Sequence, residues 1–189
     1  MLIFLIGFMC SGKTTDGKIT AERLQIPFLD LDEELEKRSG KTIWSFIETE
    51  GISAFRLVES EILLQSRQFL QSKLIESFHH TQRPEAIIAT GGGSVLIAEN
   101  RNFLLQPDHA IVWLDLPFST LQQRIKTNNR PLLTGLSEAE IYQIYSERLP
   151  FYQAVSTHRI ASVPVPEQII SLFCLSAQSI PPSLCLSSG

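Results

Sequence analysis

Short apolar runs alternate with longer segments of helical periodicity along most of the 189-residue chain. Five runs have the length and composition of buried strands: Leu2–Ile6, Pro27–Leu31, Ala86–Ala89, Ala110–Leu114 and, more weakly, His158–Val163. Eight segments predict helices: Thr14–Leu24, Asp32–Ser39, Ile43–Glu50, Ile52–Leu74, Ala98–Leu105, Pro117–Thr127, Ser137–Leu149 and Pro166–Leu175. This alternation predicts an α/β protein in which helices cover both faces of a parallel sheet.

Residues 1–175 have the length expected of a single domain. Within it, residues 32–74 are mostly helical and separate the second and third predicted strands, which indicates a substrate-binding lobe. Residues 126–136 are polar and include Pro and Gly, as expected for a mobile lid over a site. The remaining residues, 176–189, are rich in Ser and Pro, and we expect this tail to pack loosely.

The first predicted strand leads directly into Gly7-Phe8-Met9-Cys10-Ser11-Gly12-Lys13-Thr14, which fits the phosphate-binding pattern G-x-x-x-x-G-K-[ST]. Its two glycines let consecutive N–H groups face one oxyanion, at which the N-terminus of the next helix also points. Lys13 adds a positive charge for the β- and γ-phosphates, and the Thr14 hydroxyl can hold Mg²⁺. The residues that we expect to bind ATP here are Gly7, Cys10, Ser11, Gly12, Lys13, Thr14 and Thr15.

Two carboxylates, Asp30 and Asp32, stand at the end of the second predicted strand. Residues two apart in an extended chain point to the same side, so both carboxylates can face the phosphate site. One division of labour is that Asp30 supports the Mg²⁺ shell through water, while Asp32 orients or deprotonates an acceptor hydroxyl. The alternative is that Asp32 only caps the following helix.

Arg56 and Arg148 lie in predicted helices of the acceptor region, and Glu59 follows Arg56 at a spacing that puts both on one helix face. Two guanidinium groups suit a substrate that carries a carboxylate; the alternative is a pair of surface salt bridges. Gly91, Gly92 and Gly93 follow the third predicted strand, where either the close approach of a ligand or a tight turn accounts for them.

Two further arginines lie in or next to the predicted lid. Arg130 begins the segment RPLL, and lid closure would bring it to the transferring phosphoryl group, where it neutralises charge. Arg124 lies either over the adenine face of the nucleotide or in solvent on its helix.

Composition narrows the class of partner and the compartment. The net charge of −4 and the absence of a basic tract argue against nucleic acid as a partner. The three cysteines, an odd number in a chain of this size, favour a reducing cytoplasm. The apolar N-terminal run is too short to span a bilayer, so we expect no membrane association.

The motifs occur in a set order: GFMCSGKTT at 7–15, FLDLDEELEKRSGKTI at 28–43, Ala54-Phe55-Arg56 with Glu59, ATGGGSVL at 89–96, VWLDLP at 112–117, RPLL at 130–133 and Arg148-Leu149-Pro150-Phe151-Tyr152. In this combination the chain resembles the shikimate kinases, from Leu2 to about Leu175. The resemblance implies a three-layer P-loop kinase fold with a five-stranded parallel sheet, a moving lid and a moving substrate lobe.

The same resemblance implies transfer of the γ-phosphoryl group of ATP to the 3-hydroxyl of shikimate. Asp32, Arg56, Gly91, Gly92, Gly93 and Arg148 would bind shikimate; Lys13, Asp32 and Arg130 would be catalytic; and Thr14, with Asp30 through water, would hold Mg²⁺. We expect a monomer.

Four positions depart from the usual pattern of the family: Cys10, Asp16, Lys18 and Leu31. Asp16 puts a negative charge near the phosphates, where it either weakens ATP binding or caps the helix and points away. Two other functions remain open: another small-molecule kinase, such as a gluconate kinase, and a non-catalytic nucleotide-binding regulator.

Overall fold

A computed structural model describes residues 1–71, 84–127 and 131–174 of the chain. Its strands are β1 (Leu2–Ile6), β2 (Phe28–Asp30), β3 (Ala86–Ala89), β4 (His109–Leu114) and β5 (His158–Ile160). They form a single five-stranded sheet in the order β2-β3-β1-β4-β5, and every neighbouring pair is parallel. The predicted parallel sheet is therefore confirmed.

The helices in the described residues are α1 (Lys13–Leu24), α2 (Leu31–Ser39), α3 (Ile43–Leu64), α4 (Ser66–Gln71), α5 (Ala98–Leu104), α6 (Phe118–Thr127), α7 (Glu138–Val155) and α8 (Val165–Cys174). Short 3₁₀ turns cover Ser94–Leu96 and Pro131–Leu133. Arg130 and the predicted tail, residues 176–189, lie outside the described residues. The division into one domain with a lobe and a lid stays a prediction.

The central strands are buried on both faces, which explains why they read as continuous apolar runs. Alternate residues of β1 point to opposite sides: Phe4 packs in a cluster with α2, α3, α5 and α7, whereas Leu5 packs in a second cluster with α1 and α8. The sheet thus lies between two helical layers, as the predicted three-layer architecture requires.

Two of the predicted helices end at other residues than the sequence indicated. Non-helical Gly51 (φ 86°, ψ 161°) marks the predicted break within α3. The predicted helix Ile52–Leu74, however, ends at Leu64, and Gln65 separates it from α4. Helix α7 does not end at Leu149 as predicted, because it continues through Pro150 to Val155. Tyr152 and Val155 are 1% exposed, so burial of this last segment compensates for the hydrogen bond that proline cannot donate.

The sheet order decides where a ligand can bind. Strand β1 lies between β3 and β4, so the loop after β1 and the loop after β3 emerge side by side at the carboxyl edge of the sheet. Crevices at such points are the usual ligand sites of open parallel sheets.

None of the helices in residues 1–71, 84–127 and 131–174 combines the length and the apolar composition needed to cross a bilayer.

Candidate active site

The phosphate loop connects β1 to α1 and depends on glycine at both ends. Gly7 has φ 143°, and a Cβ atom there would lie 2.7 Å from the carbonyl oxygen of Leu114. Gly12 has φ 103° and is the N-cap of α1, without a side-chain cap. Residues that carry a Cβ atom are therefore strongly disfavoured at positions 7 and 12. Cys10 also adopts the left-handed region, with φ 63°.

Lys13 is the first residue of α1, and its side chain folds back along the phosphate loop. Its Nζ atom donates hydrogen bonds of 2.9 Å to the carbonyl oxygens of both Gly7 and Phe8, and the residue is 9% exposed. The positive charge is thus held against the backbone of the loop. A phosphate that binds the loop would have this ammonium group beside it.

Asp30 joins the phosphate loop to the start of α2. Its Oδ2 atom accepts a hydrogen bond of 2.6 Å from the Thr14 hydroxyl. Its Oδ1 atom caps α2 by accepting bonds from the amides of Asp32 (2.9 Å) and Glu33 (3.3 Å). The alternative in which Asp32 is the cap is therefore wrong, because the helix begins one residue earlier, at Leu31, and Asp30 caps it.

The geometric argument for Asp32 is also wrong, although Asp32 does reach the site. Asp32 is the second residue of α2 rather than part of an extended segment, so alternation along a strand does not direct its carboxylate. Its Oδ1 atom instead lies 3.1 Å from where a Cβ atom on Gly91 would be. The first turn of the helix therefore places the carboxylate beside the triple glycine.

Thr14 and Asp30 fit a site at which Mg²⁺ takes some of its ligands from the protein and others from the phosphates of a nucleotide. Magnesium keeps several waters and takes one or two protein oxygens together with phosphate oxygens. The hydroxyl of Thr14 and the carboxylate of Asp30 are adjacent oxygen donors next to the loop. Within residues 1–71, 84–127 and 131–174, no group of three or more His, Cys, Asp or Glu side chains forms a metal cage.

A cavity of about 340 Å³ opens directly beside the phosphate loop. The charged side chains that line it are Asp32, Glu36, Arg56, Glu59 and Arg148, and Gly91, Gly92 and Gly93 form part of its wall. Apolar side chains, among them Met9, Trp44 and Phe55, complete it. Its volume suits a small molecule, and its two arginines suit an anionic group on that molecule.

Arg56 is held in this cavity by Glu59, as the sequence spacing predicted. The guanidinium donates to Glu59 Oε2 at 2.5 Å, and Glu59 is 2% exposed. The other oxygen of Glu59 accepts a bond of 2.9 Å from the Ser94 hydroxyl. Both carboxylate oxygens are thus occupied, which leaves the guanidinium of Arg56 in one defined position.

Gly91 and Gly93 of the triple glycine are explained by the close approach of Glu59 and Arg56. Gly91, Gly92 and Gly93 all lie outside the left-handed region, so backbone freedom does not require them. A Cβ atom on Gly91 would overlap the Glu59 carboxylate, and one on Gly93 would overlap the Arg56 guanidinium. Side chains of the protein therefore approach Gly91 and Gly93 closely; the approach of a ligand to the three glycines, which also line the cavity, stays a prediction.

Replacing Gly93 by Ala should therefore weaken binding of the acceptor by displacing Arg56. We expect the acceptor KM to rise about tenfold, the size of one charge-assisted hydrogen bond, with the KM for ATP unchanged. Arg56→Ala is the comparison, because Gly93→Ala should raise the acceptor KM no further once the guanidinium is absent. Steady-state kinetics with each substrate varied in turn would measure both; an equal rise of the KM on adding Gly93→Ala with and without Arg56 would contradict the explanation.

Arg148 approaches the triple glycine from α7. Its Nη1 atom donates to the carbonyl oxygen of Gly92 at 3.1 Å, and the hydroxyl of Tyr152 donates to the same oxygen at 2.5 Å. Tyr152 also stacks on Trp113 of β4, with 5.9 Å between ring centroids. Sequence reasoning missed this role of Tyr152, although its place in R-x-P-x-Y, four residues after Arg148, puts both on one helix face.

The remaining predicted residues lie around the phosphate loop. Ser11 is fully buried within the loop, and Thr15 is exposed in the first turn of α1. Arg124, on α6, donates from Nη1 to the carbonyl oxygen of Cys10 at 3.1 Å, so it reaches the loop instead of pointing into solvent. Arg130 lies outside the described residues, and its role stays a prediction.

The fold and the site define a P-loop kinase whose phosphate loop borders a small-molecule pocket. The family model for shikimate kinase matches residues 9–176 of the chain. This chain belongs to the shikimate kinase family, whose members are ATP-dependent kinases that phosphorylate shikimate.

Individual relatives agree with the family match. A shikimate kinase of Aquifex aeolicus is 33% identical over 179 residues, which covers 94% of this chain and 96% of that protein. A bifunctional shikimate kinase/3-dehydroquinate synthase of Thermotoga maritima is 39% identical over 152 residues. That match covers 80% of this chain and 27% of the relative.

A solved structure extends the similarity to three dimensions. It is the structure of a shikimate kinase from Acinetobacter baumannii in complex with shikimate, with a TM-score of 0.75 and 32% sequence identity. The match covers 94% of both chains. The five-stranded P-loop kinase fold that the resemblance implied is thereby confirmed.

Proposed function

We propose that this chain transfers the γ-phosphoryl group of ATP, bound with Mg²⁺, to the 3-hydroxyl of shikimate, and releases shikimate 3-phosphate and ADP. The observation that carries the proposal is that the phosphate loop and the arginine-containing cavity share a wall. Met9 of the phosphate loop lines the arginine-containing cavity, and Gly92 lies against the backbone of Met9 and Gly7. A phosphate on the loop and an acceptor in the cavity would therefore be neighbours.

The acceptor half is suited to a polyhydroxylated carboxylic acid. Arg56 and Arg148 present guanidinium groups to one cavity, and a carboxylate can accept paired hydrogen bonds from such groups. Asp32 lines the same cavity and offers an acceptor to a ring hydroxyl. We assign Asp32 the role of orienting the attacking hydroxyl and accepting its proton.

The donor half stabilises the charge of the phosphoryl group during transfer. Lys13 would exchange its hydrogen bonds to the Gly7 and Phe8 carbonyl oxygens for bonds to phosphate oxygens. Arg130, delivered by the predicted lid, would neutralise charge from the other side. Thr14 would hold Mg²⁺, with Asp30 bound through water. Magnesium supplies charge neutralisation and orientation of the β- and γ-phosphates.

The deciding experiment measures ADP formation by the purified protein with ATP and shikimate, gluconate or no acceptor, each with and without Mg²⁺. We expect ADP release only when shikimate and Mg²⁺ are both present. Release with gluconate would overturn the assignment of the acceptor. Binding of ATP without release of ADP with any acceptor would instead favour a non-catalytic nucleotide-binding regulator.

The fluorescence of Trp44 should report directly on binding of the acceptor. It lines the cavity and is 42% exposed, whereas Trp113, the other tryptophan of the chain, is 6% exposed. Shikimate should therefore change the tryptophan emission by excluding water from Trp44. The change should saturate with shikimate concentration and vanish in Trp44→Phe. A Trp44→Phe variant that keeps the full response would contradict the placement of shikimate in this cavity.

We also propose that the protein acts as a monomer in the cytoplasm and that nucleic acid and membranes are not its partners. The odd number of cysteines supports the cytoplasm, and the acidic net charge argues against nucleic acid as a partner. Sedimentation equilibrium at micromolar concentration tests the first, since a dimer would have twice the chain mass of 21.2 kDa.

A further inference from the structure

Asp16 occupies an unusual place at the N-terminus of α1. Its amide donates to the carbonyl oxygen of Gly12 at 2.8 Å, within the first turn of the helix. Its carboxylate does not cap the helix; it lies directly over Gly12, so that a Cβ atom on Gly12 would overlap Oδ2. Of the two alternatives for Asp16, the one in which it caps the helix and points away is therefore wrong.

Arg124 lies over the same glycine. Its Nη1 atom is 3.4 Å from the position that a Cβ atom on Gly12 would take, and the same guanidinium donates to the Cys10 carbonyl oxygen. The carboxylate of Asp16 and one guanidinium nitrogen of Arg124 thus both lie near Gly12 at the edge of the phosphate loop, where their opposite charges attract each other. Burial raises the pKa of the Asp16 carboxyl, and the positive charge of Arg124 opposes that rise, as expected for neighbouring opposite charges.

One more charged side chain lies near this pair, and it already forms an ion pair with another residue. Glu167, at the start of α8, faces Asp16 and acts to raise the same pKa. It is bound to Arg23 of α1 at 2.6 Å, which partly balances its charge. Of the two charged side chains that act on the pKa of the Asp16 carboxyl, Arg124 is the positive one.

The pair joins elements that are far apart in sequence. Asp16 belongs to the helix that follows the phosphate loop, and Arg124 belongs to α6, which leads to the predicted lid. Besides its bond to the Cys10 carbonyl, Arg124 gains the attraction of a full negative charge at the site where a nucleotide would begin to contact α1. A guanidinium held there can contact phosphate oxygens or stack on a base.

We propose that Asp16 is a positioning residue for the nucleotide: its carboxylate holds the Arg124 guanidinium against the phosphate loop, where Arg124 contacts the bound nucleotide. The proposal rests on the proposed function only for the identity of the nucleotide as ATP or ADP. It makes Asp16, which departs from the usual family pattern, a determinant of nucleotide affinity that acts through Arg124.

Two effects of Asp16 oppose each other, and a double-mutant cycle separates them. The carboxylate repels the phosphates of the nucleotide, but it also retains the cation that attracts them. Without Arg124 only the repulsion remains. Removal of the Asp16 charge should therefore weaken ADP binding when Arg124 is present, and leave it unchanged or strengthen it when Arg124 is absent.

The test measures the Kd for ADP by isothermal titration calorimetry in Asp16→Asn, Arg124→Ala and the double variant. We expect Arg124→Ala to raise the Kd about tenfold and Asp16→Asn to raise it about three- to tenfold, consistent with loss of charge-assisted contacts. The double variant should bind no more weakly than Arg124→Ala alone. In kinetics, Asp16→Asn should raise the KM for ATP and leave kcat and the KM for shikimate unchanged.

Glu22→Gln is the matched control, because it removes the same charge from the same helix at an exposed position nearer its end. It should leave the Kd unchanged. Unchanged or tighter ADP binding by Asp16→Asn in the presence of Arg124, or effects that multiply in the double variant, would overturn the proposal. Since ADP binding needs no acceptor, this outcome is independent of whether shikimate is the substrate.

Discussion

Replacing Lys13 by Ala should lower kcat for shikimate-dependent ADP formation by about 10²- to 10³-fold, the usual loss when one preorganised charge stabiliser is removed. The physical reason is the position of the ammonium group. Lys13 Nζ lies on the carbonyl oxygens of Gly7 and Phe8 in the phosphate loop, from which it would turn to the transferring phosphoryl group. The measurement is kcat at saturating ATP and shikimate.

Two controls make this result specific. Lys37→Ala removes the same charge from the exposed side of α2, where the side chain is 79% exposed, and should leave kcat unchanged. Thermal unfolding of Lys13→Ala shows whether loss of its hydrogen bonds to the loop also lowers the stability of the folded protein. A folded Lys13→Ala enzyme with unchanged turnover would refute the catalytic role of Lys13.

Replacing Arg148 by Ala should raise the KM for shikimate by about 10- to 100-fold, because a hydrogen bond to a charged group contributes about 1.5–3 kcal/mol. Arg148 lines the acceptor cavity and is held there by its own bond to the Gly92 carbonyl oxygen. The KM for ATP should change little, because the nucleotide would bind on the other side of the loop. Steady-state kinetics with each substrate varied separately would measure both values.

Arg148→Lys should raise the KM for shikimate by a smaller amount. It keeps the charge but loses the planar fork, so its KM for shikimate should lie between those of the wild type and Arg148→Ala. Glu147→Ala, at the neighbouring exposed position of α7, controls for disturbance of the helix. An Arg148→Ala variant with altered affinity for ATP alone would show that Arg148 does not bind the carboxylate.

The parts of the fold that sequence predicted well are governed by local interactions. The segment from Leu2 to Leu24 contains a strand, a glycine-bounded loop and a helix, and each follows from residues close in sequence. The break at Gly51 was visible for the same reason, since glycine readily takes the non-helical conformation found there. The pairing of Arg56 with Glu59 follows from helical spacing alone.

Predictions failed where the outcome depended on contacts between distant segments. The sequence placed the end of α7 at Leu149, but the packing of Tyr152 against Trp113 and Gly92 extends the helix past Pro150. It also offered only Asp32 as a possible cap of α2, whereas Asp30 is the cap, because that depends on where β2 ends and the helix begins. The sequence also did not show that Arg56 and Glu59 lie against Gly93 and Gly91, because that approach crosses from α3 to the loop after β3.

The sequence by itself determined the class of fold, the phosphate loop and the residue types of the acceptor site, because each is encoded by short-range pattern and composition. Only the tertiary structure decided the strand order, the shared wall between loop and cavity, and the placing of Asp16 beside Arg124. These features join segments that lie tens of residues apart. Their geometry is set by how the helices pack on the sheet, which no local pattern specifies.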